Sequence, residues 1–250
     1  MRRTIRTLSI LVLLGCGITA TWRLEHTPKP RAKVPATRYH GYELNRLAIN
    51  RTKAFTVLIS NEGFGGVGRG TGVLLDPTHV LTCAHMVESL TDDLWIFPYP
   101  VGLVAKGKPV FLNRQADLAI LELDKAVYVP HYATFQDMHY DGEPITIIGN
   151  TLGSMKWFVS FGIVSGDFDG FVLTDGVLYG GNSGGPWINE SGEVVALTDW
   201  TLVHKGAESG IHGGVSAKTI HEFLKAWKSP SIGQILQMLL GGDSIKKGDK

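Results

Sequence analysis

Three short segments carry residues whose types suit nucleophilic chemistry performed together. Ser183 lies in Gly181-Asn182-Ser183-Gly184-Gly185-Pro186, His85 follows the run Val80-Leu81-Thr82-Cys83-Ala84, and Asp117 heads the run Leu118-Ala119-Ile120-Leu121-Glu122-Leu123. A serine among glycines has a reachable hydroxyl and backbone N–H groups left open, which a nucleophile and the oxyanion it creates both require. An aspartate leading a run that must be buried is costly unless it is hydrogen-bonded. Accepting the Nδ1–H of a histidine satisfies it. Serine then attacks, histidine takes and returns the proton, and aspartate fixes the tautomer and stabilises the imidazolium. Each segment alone has a plainer reading: a Gly-rich turn, a packed or exposed histidine, a turn aspartate. The three together, in the order His, Asp, Ser, favour the catalytic one.

The elements that must position these residues are strands. Apolar runs occur at Ala54–Ser60, Gly72–Leu75, Val80–Thr82, Leu94–Phe97, Leu118–Leu123, Pro144–Ile148, Phe158–Ser165, Phe171–Thr174, Pro186–Ile188 and Val194–Thr198. Most are short, rich in Val, Ile and aromatics, and bounded by Gly, Asp, Asn or Pro. The pattern predicts an all-β chain of two packed, six-stranded antiparallel barrels, about 46–135 and 140–220. His85 and Asp117 come from the first, Ser183 from the second, and the site lies in the cleft between them. One stretch reads as a helix: in Ala217–Trp227, Ile220, Phe223, Leu224 and Trp227 share a face. Ile232–Leu240 suggests a short second helix, within a Gly- and charge-rich C-terminal tail over 229–250.

Composition agrees. The chain has 250 residues, 44% of them hydrophobic, and a formal net charge of +1. That suits one globular domain over 46–228 with a full core, and it gives no argument for nucleic acid as a partner. The 31 glycines fit a fold made of turns and bulges.

These motifs make the chain resemble a trypsin-like, chymotrypsin-fold serine protease. It is closer to the bacterial HtrA/DegP-type protease domains than to the animal digestive enzymes. Gly68-Arg69-Gly70-Thr71-Gly72-Val73-Leu74-Leu75 resembles the family's G-x-G-[ST]-G strand. Leu81-Thr82-Cys83-Ala84-His85 resembles its LTAAH motif, with Cys83 for an alanine, and Asp117–Leu121 resembles its DLAxL motif. Thr174-Asp175 and Gly181–Gly185 resemble the HtrA approach to the nucleophile, and the order His, Asp, Ser is the chymotrypsin one. The likeness covers about residues 54 to 225, without a PDZ domain in the residues that follow.

The resemblance implies His85 as general base, Asp117 as orienting acid, Ser183 as nucleophile, and the N–H groups of Gly181 and Ser183 as the oxyanion hole. Asn182 stands where digestive enzymes carry an aspartate that pairs with a new N-terminus, so activation by that switch is not expected. The substrate pocket falls to Val177, Leu178, Tyr179, Thr198, Asp199 and Trp200, with Ile211–Gly214 behind them. No acidic residue stands at the pocket-base position the resemblance implies, near Val177, which argues against cleavage after Arg or Lys and for a small or medium apolar side chain. Asp199 biases the charge of a subsite on this reading, Trp200 caps the pocket or pairs with substrate backbone, and His212 is a candidate reader of acidic side chains. Each also reads as an ordinary loop residue.

Arg2, Arg3 and Arg6 precede the apolar stretch Leu8–Ala20. A basic segment, a short apolar one and small residues read as a secretory signal over 1–20. Two alternatives stay open: Leu13-Leu14-Gly15-Cys16 as a lipobox, or an uncleaved anchor that tethers the chain to a membrane. All three export the domain to the periplasm or beyond. The Pro- and base-containing stretch 21–45 reads as an extended linker. Only Cys16 and Cys83 are present, so a chain without its leader has no internal disulfide; an exported, unstapled member of the family it resembles implies bacteria or their viruses. Cys83 reads as a small buried residue rather than a nucleophile. His131, His139, His204, His212 and His221 lack metal-ligand spacing, so no metal and no cofactor are expected.

Two functions remain at this point. One is an exported serine endopeptidase acting on polypeptides through an acyl-enzyme. The other is a catalytically silent protein of the same fold that binds peptides or a protein partner. Oligomeric state is not legible in the sequence.

Overall fold

The computed structural model describes residues 40–61, 70–87, 94–152, 155–204 and 207–229. The expected leader, most of the expected linker, the second C-terminal helix, and Gly68 and Arg69 lie outside them. Twelve strands form two closed antiparallel barrels, flanked by one helix before and one after.

The first barrel comprises β1 (Thr56–Ser60), β2 (Gly70–Asp76), β3 (His79–Cys83), β4 (Leu94–Pro98), β5 (Ala105–Asn113) and β6 (Leu118–Leu123), in the order β1-β2-β3-β6-β5-β4. The second comprises β7 (Pro144–Thr151), β8 (Met155–Phe168), β9 (Phe171–Thr174), β10 (Pro186–Ile188), β11 (Val194–His204) and β12 (Ala207–Ser216). Its order, β7-β8-β9-β12-β11-β10, repeats that of the first barrel strand for strand. Closure leaves no unpaired sheet edge in either half.

Each barrel buries apolar residues of its own strands, and the first barrel's cluster also takes in Ile188, Val194, Leu197 and Val215 from the second. Val57, Ile59, Val73, Val80, Leu81, Ile96, Ile120 and Leu121 are buried in the first, and Ile145, Ile147, Val164, Val172, Trp187 and Val195 in the second. Leu58, Phe97, Ile148 and Trp157 form a separate buried cluster drawn from strands of both barrels. Polar groups cross the same boundary. Trp157 Nε1 donates to the Thr56 carbonyl at 2.8 Å, and buried Asn150 donates through Nδ2 to Val57 O at 3.3 Å and to Thr71 Oγ1 at 3.1 Å. Buried polar groups need such partners, so this network fixes one docking of the barrels.

The C-terminal helix α2 (Ala217–Lys228) follows the second barrel and packs on the first. Ser216 caps it by accepting the Thr219 amide at 3.2 Å. The Phe223 ring lies 5.1 Å from that of Phe111 on β5, and Trp227 lies edge-on to His79 on β3 at 4.8 Å.

Three elements depart from the pattern read in the sequence. Helix α1 (His40–Phe55) occupies the end of the expected linker and the start of the expected first strand. Its inward residues, Ala48, Thr52 and Phe55, follow helical spacing, but the middle one is a threonine whose hydroxyl is satisfied by the Ala48 carbonyl at 2.8 Å. An apolar periodicity therefore misses it. Strand β5 carries Lys106, Gly107, Lys108 and Pro109, and is bulged between Pro109 and Phe111. Strand β12 carries Gly210, Gly213 and Gly214. Both are strands because neighbours on either side pair with them, against their own propensity.

Candidate active site

His85 and Asp117 meet because two paired strands end together. In the β3–β6 ladder Cys83 lies opposite Leu118, so the residues just beyond those ends share one rim of the first barrel. His85 sits in a single 3-10 turn, Ala84–Met86, after β3. Asp117 precedes β6 with a left-handed φ of 51°, a conformation aspartate tolerates better than most residues. Three hydrogen bonds hold this geometry. The Ala84 amide donates to Asp117 O at 3.0 Å, the His85 amide donates to Oδ1 at 2.8 Å, and the ring Nδ1 is 2.5 Å from Oδ2. The Asp117 carboxyl is largely covered, while the His85 ring remains about half exposed. Burial alone would raise the Asp117 pKa; hydrogen bonds from the His85 ring, from Asp199 and from the His85 amide outweigh it and hold the carboxyl below its ordinary value. An ionised acid bonded to Nδ1 leaves Nε2 as the nitrogen that can act as base.

The turn that carries Ser183 is pinned to the first barrel by Thr71 of β2. The Thr71 amide donates to Ser183 O at 2.9 Å, and its hydroxyl donates to Gly181 O at 2.8 Å. The same hydroxyl accepts the Asn150 amide at 2.9 Å, while Thr71 O accepts the Thr82 hydroxyl at 2.7 Å. Gly184 then passes through φ +80°, where a Cβ would stand 2.2 Å from Thr71 O, so only glycine fits. Its amide donates to Thr198 O at 2.8 Å, an oxygen that also accepts the Cys83 thiol at 3.1 Å. With their carbonyls used in this way, the amides of Gly181 and Ser183 donate to no group among the described residues.

The expected pocket residues divide. Val177 and Tyr179 are about half exposed. Leu178 is buried in the second barrel's core, and Thr198 is buried with its hydroxyl accepting Trp187 Nε1 at 2.8 Å. Trp200 lies flat on β12, where Gly213 faces it and a Cβ would reach within 2.2 Å of the indole. It also meets Phe171 edge-on at 5.7 Å. His212 is buried on β12, with Nδ1 2.9 Å from the Thr201 hydroxyl.

Asp199 departs most from expectation. Instead of standing free to bias a subsite, its carboxyl turns to the His85–Asp117 pair. Its Oδ1 is 4.0 Å from His85 Nδ1, and a carboxylate oxygen lies within 4.8 Å of one of Asp117. Burial and the Asp117 carboxyl beside it push its pKa up to about 7, with His85 pulling the other way.

Cys83, His85, Asp117 and Asp199 each place one donor atom within 4.8 Å of the others. Those donors are already engaged with one another and with the backbone. The Cys83 thiol donates to Thr198 O, and burial, with the charges of Asp117 and Asp199, raises its pKa far above an ordinary thiol's. A thiol held neutral is neither a ready metal ligand nor a nucleophile. Elsewhere, His79, His139 and His221 pair with Asp76, Asp167 and Asp137.

The sequence marks Thr71 only as part of a motif, without its role between the barrels. Its signal is a β-branched hydroxyl between two glycines, in a strand otherwise glycine and apolar as far as Leu75.

The comparisons point one way. The family model described as "Trypsin-like peptidase domain" matches residues 70–197. The chain is 26% identical over 201 residues to a "Probable periplasmic serine protease do/HhoA-like" of Haemophilus influenzae, covering 76% of this chain and 41% of that one. It is 29% identical over 154 residues to a "Probable periplasmic serine endoprotease DegP-like" of Chlamydia pneumoniae, covering 57% and 31%. It is 33% identical over 150 residues to "Serine protease Do-like HtrB" of Bacillus subtilis, covering 54% and 32%. The chain thus spans well under half the length of these relatives. The matched residues run from β2, which carries Thr71, through His85 and Asp117, past Ser183 and into β11, and on that match the chain belongs to the trypsin-like peptidase domain family.

Proposed function

We propose that this chain is a serine endopeptidase that hydrolyses peptide bonds in polypeptides through an acyl-enzyme. One observation carries the reading: the hydrogen-bonded His85–Asp117 pair and the Ser183 turn are held to the same barrel, the pair by the end of the β3–β6 ladder and the turn by Thr71. His85 takes the proton of the Ser183 hydroxyl as it attacks the scissile carbonyl, and Asp117 stabilises the imidazolium formed. The open amides of Gly181 and Ser183 receive the charge that develops on the carbonyl oxygen. His85 then gives its proton to the leaving amine. Water activated by the same imidazole cleaves the ester and restores Ser183. No cofactor enters any step.

The half-exposed Val177 and Tyr179 support a pocket for a small or medium apolar side chain. The basic and apolar residues of 1–20, and relatives whose names include "periplasmic", support export, with cleavage, lipidation or a retained anchor as the alternatives. No described helix is long and apolar enough to cross a membrane.

Hydrolysis of unfolded casein by the purified protein, with Ser183→Ala in parallel, tests the activity. Fragments formed by the wild type and not by the variant are expected. Equal fragmentation by both would remove Ser183 from the reaction, and none from either would favour a peptide-binding protein of this fold.

A further inference from the structure

The loop that joins β4 to β5 places five consecutive uncharged residues at the surface: Tyr99, Pro100, Val101, Gly102 and Leu103. Tyr99 is 38% exposed, Val101 42% and Leu103 50%, and none of them takes part in the site around Ser183. Single exposed apolar side chains are ordinary on a protein surface. A contiguous uncharged run marks a surface that meets something.

The run is held in place by aromatic contacts. The Tyr99 ring stands edge-on to Trp157 of β8 at 5.3 Å, and Trp157 is itself fixed by its Nε1 bond to Thr56 O. Lys53 of α1 sets its Nζ 5.6 Å from the centre of the same tyrosine ring. Further down β4, the exposed Trp95 has the Lys106 Nζ 5.1 Å from its ring. Two exposed aromatic rings thus each carry an ammonium group at the face.

The charge along these elements has one sign. Residues 94–113, which span β4, the loop and β5, include Lys106 and Lys108. Residues 46–55 of α1 include Arg46, Arg51 and Lys53, and neither stretch contains a carboxylate. Glu122 and Asp124 meet β5 from its β6 side, the first 3.6 Å from Lys108 and the second accepting the Lys106 amide at 2.8 Å.

We propose that this surface docks on an anionic lipid bilayer, with the run over 99–103 entering the headgroup region and the cations of α1 and β5 lying against the lipid phosphates. A protein partner presents charges of both signs. A bilayer with anionic lipids is apolar within and negative at its surface, and an uncharged run flanked by cations is its complement. Tyrosine and tryptophan suit the boundary, having an apolar body and a polar edge. A few apolar side chains, or a few cations, bind lipid weakly alone, so both are required. Together they hold the barrels at a membrane whether the leader is cleaved, lipidated or kept. The proposal does not depend on catalysis by Ser183.

The test is amide hydrogen exchange, read by mass spectrometry, on the full chain carrying Ser183→Ala to prevent self-cleavage. The protein is measured alone, with vesicles of phosphatidylcholine, and with vesicles in which about a third of the lipid is phosphatidylglycerol. Exchange is read peptide by peptide, so lipid contact by residues 1–20 is distinguished from contact by 98–104. Anionic vesicles should slow exchange over 98–104 by about tenfold or more, and neutral vesicles far less. Salt at about 0.5 M should remove most of that protection.

Variants are each compared with themselves without lipid. Val101→Glu and Leu103→Glu should each abolish the protection, and Arg51→Glu combined with Lys53→Glu should cut it by about tenfold. A thermal melt identifies any variant that fails to fold, and the remaining variants and the salt series then carry the test. Unchanged exchange over 98–104 on vesicles that bind the chain elsewhere would overturn the proposal, as would protection that Leu103→Glu leaves intact. Protection that grows with protein concentration in the absence of lipid would assign the run to a second copy of this chain, and overturn it too.

Discussion

Thr71 of the first barrel and Ser183 of the second are joined backbone to backbone, the Thr71 amide donating to the Ser183 carbonyl at 2.9 Å. A residue far from Ser183 in sequence thus fixes where the Ser183 turn sits relative to His85, whose strand β3 pairs with Thr71's own strand β2. The Thr71 hydroxyl adds a bond to Gly181 O, so both carbonyls flanking Asn182 point into the barrel interface.

Thr71→Val tests that anchoring. Valine matches the shape of threonine and keeps the amide, but it loses the bonds to Gly181 O and to the Asn150 groups. A buried, unsatisfied polar group costs about 1–3 kcal/mol, so both stability and fluorophosphonate labelling should drop, while Thr71→Ser should recover most of each. Labelling at the wild-type rate in the valine variant would show that the barrels place Ser183 without this hydroxyl.

Asp117→Asn should leave the fold in place and lower casein turnover by roughly 10⁴-fold, because the amide no longer holds the tautomer that makes Nε2 the proton acceptor. The melting temperature and the turnover rate, measured together, separate this from simple unfolding. A variant within about tenfold of the wild type would place the orienting acid elsewhere, with Asp199 the next candidate.

How much of this was legible beforehand depends on what each residue answers to. The strands over Leu118–Leu123 and Val194–Thr198 announce themselves because their own side chains are apolar and β-branched. The His85, Asp117 and Ser183 segments announce themselves because turns and covered charges constrain residue type. Strand β5, with Lys106, Lys108 and Pro109, owes its conformation to partners distant in sequence, as does glycine-rich β12. Helix α1 hides because Thr52 occupies an inward position. Asp199 hides for a related reason: a strand residue can face either way, and only the register at Thr198 and the bulge before Trp200 turn its carboxyl towards His85.

Asp199 should also leave a mark on stability. Its folded pKa of about 7 lies above its unfolded value of 3.8, so the folded state binds the extra proton between those limits. Stability from this group is full at low pH and is lost as pH rises towards 7. Asp117 acts oppositely, since its carboxyl is held below its ordinary value and its contribution fades only in acid. Replacing Asp199 by Asn removes the first penalty, and the variant's melting temperature relative to the wild type should be higher at pH 8 than at pH 5 by about several °C. An equal difference at both pH values would mean that Asp199 is not held protonated in the fold.

Metal removal should change nothing. Cys83 is engaged with Thr198 O and Asp117 with His85, so excess EDTA should leave the labelling rate and the melting temperature where they were. A loss of either that zinc restores would turn the Cys83, His85, Asp117 and Asp199 group into a metal site.

The most direct test is mass spectrometry of the protein from residue 36 onward after reaction with a fluorophosphonate, alongside Ser183→Ala and His85→Ala. The account predicts a single adduct on Ser183 in the wild type, none in the serine variant, and labelling slowed by orders of magnitude in the histidine variant. An adduct on another residue, or equal labelling without His85, would contradict it.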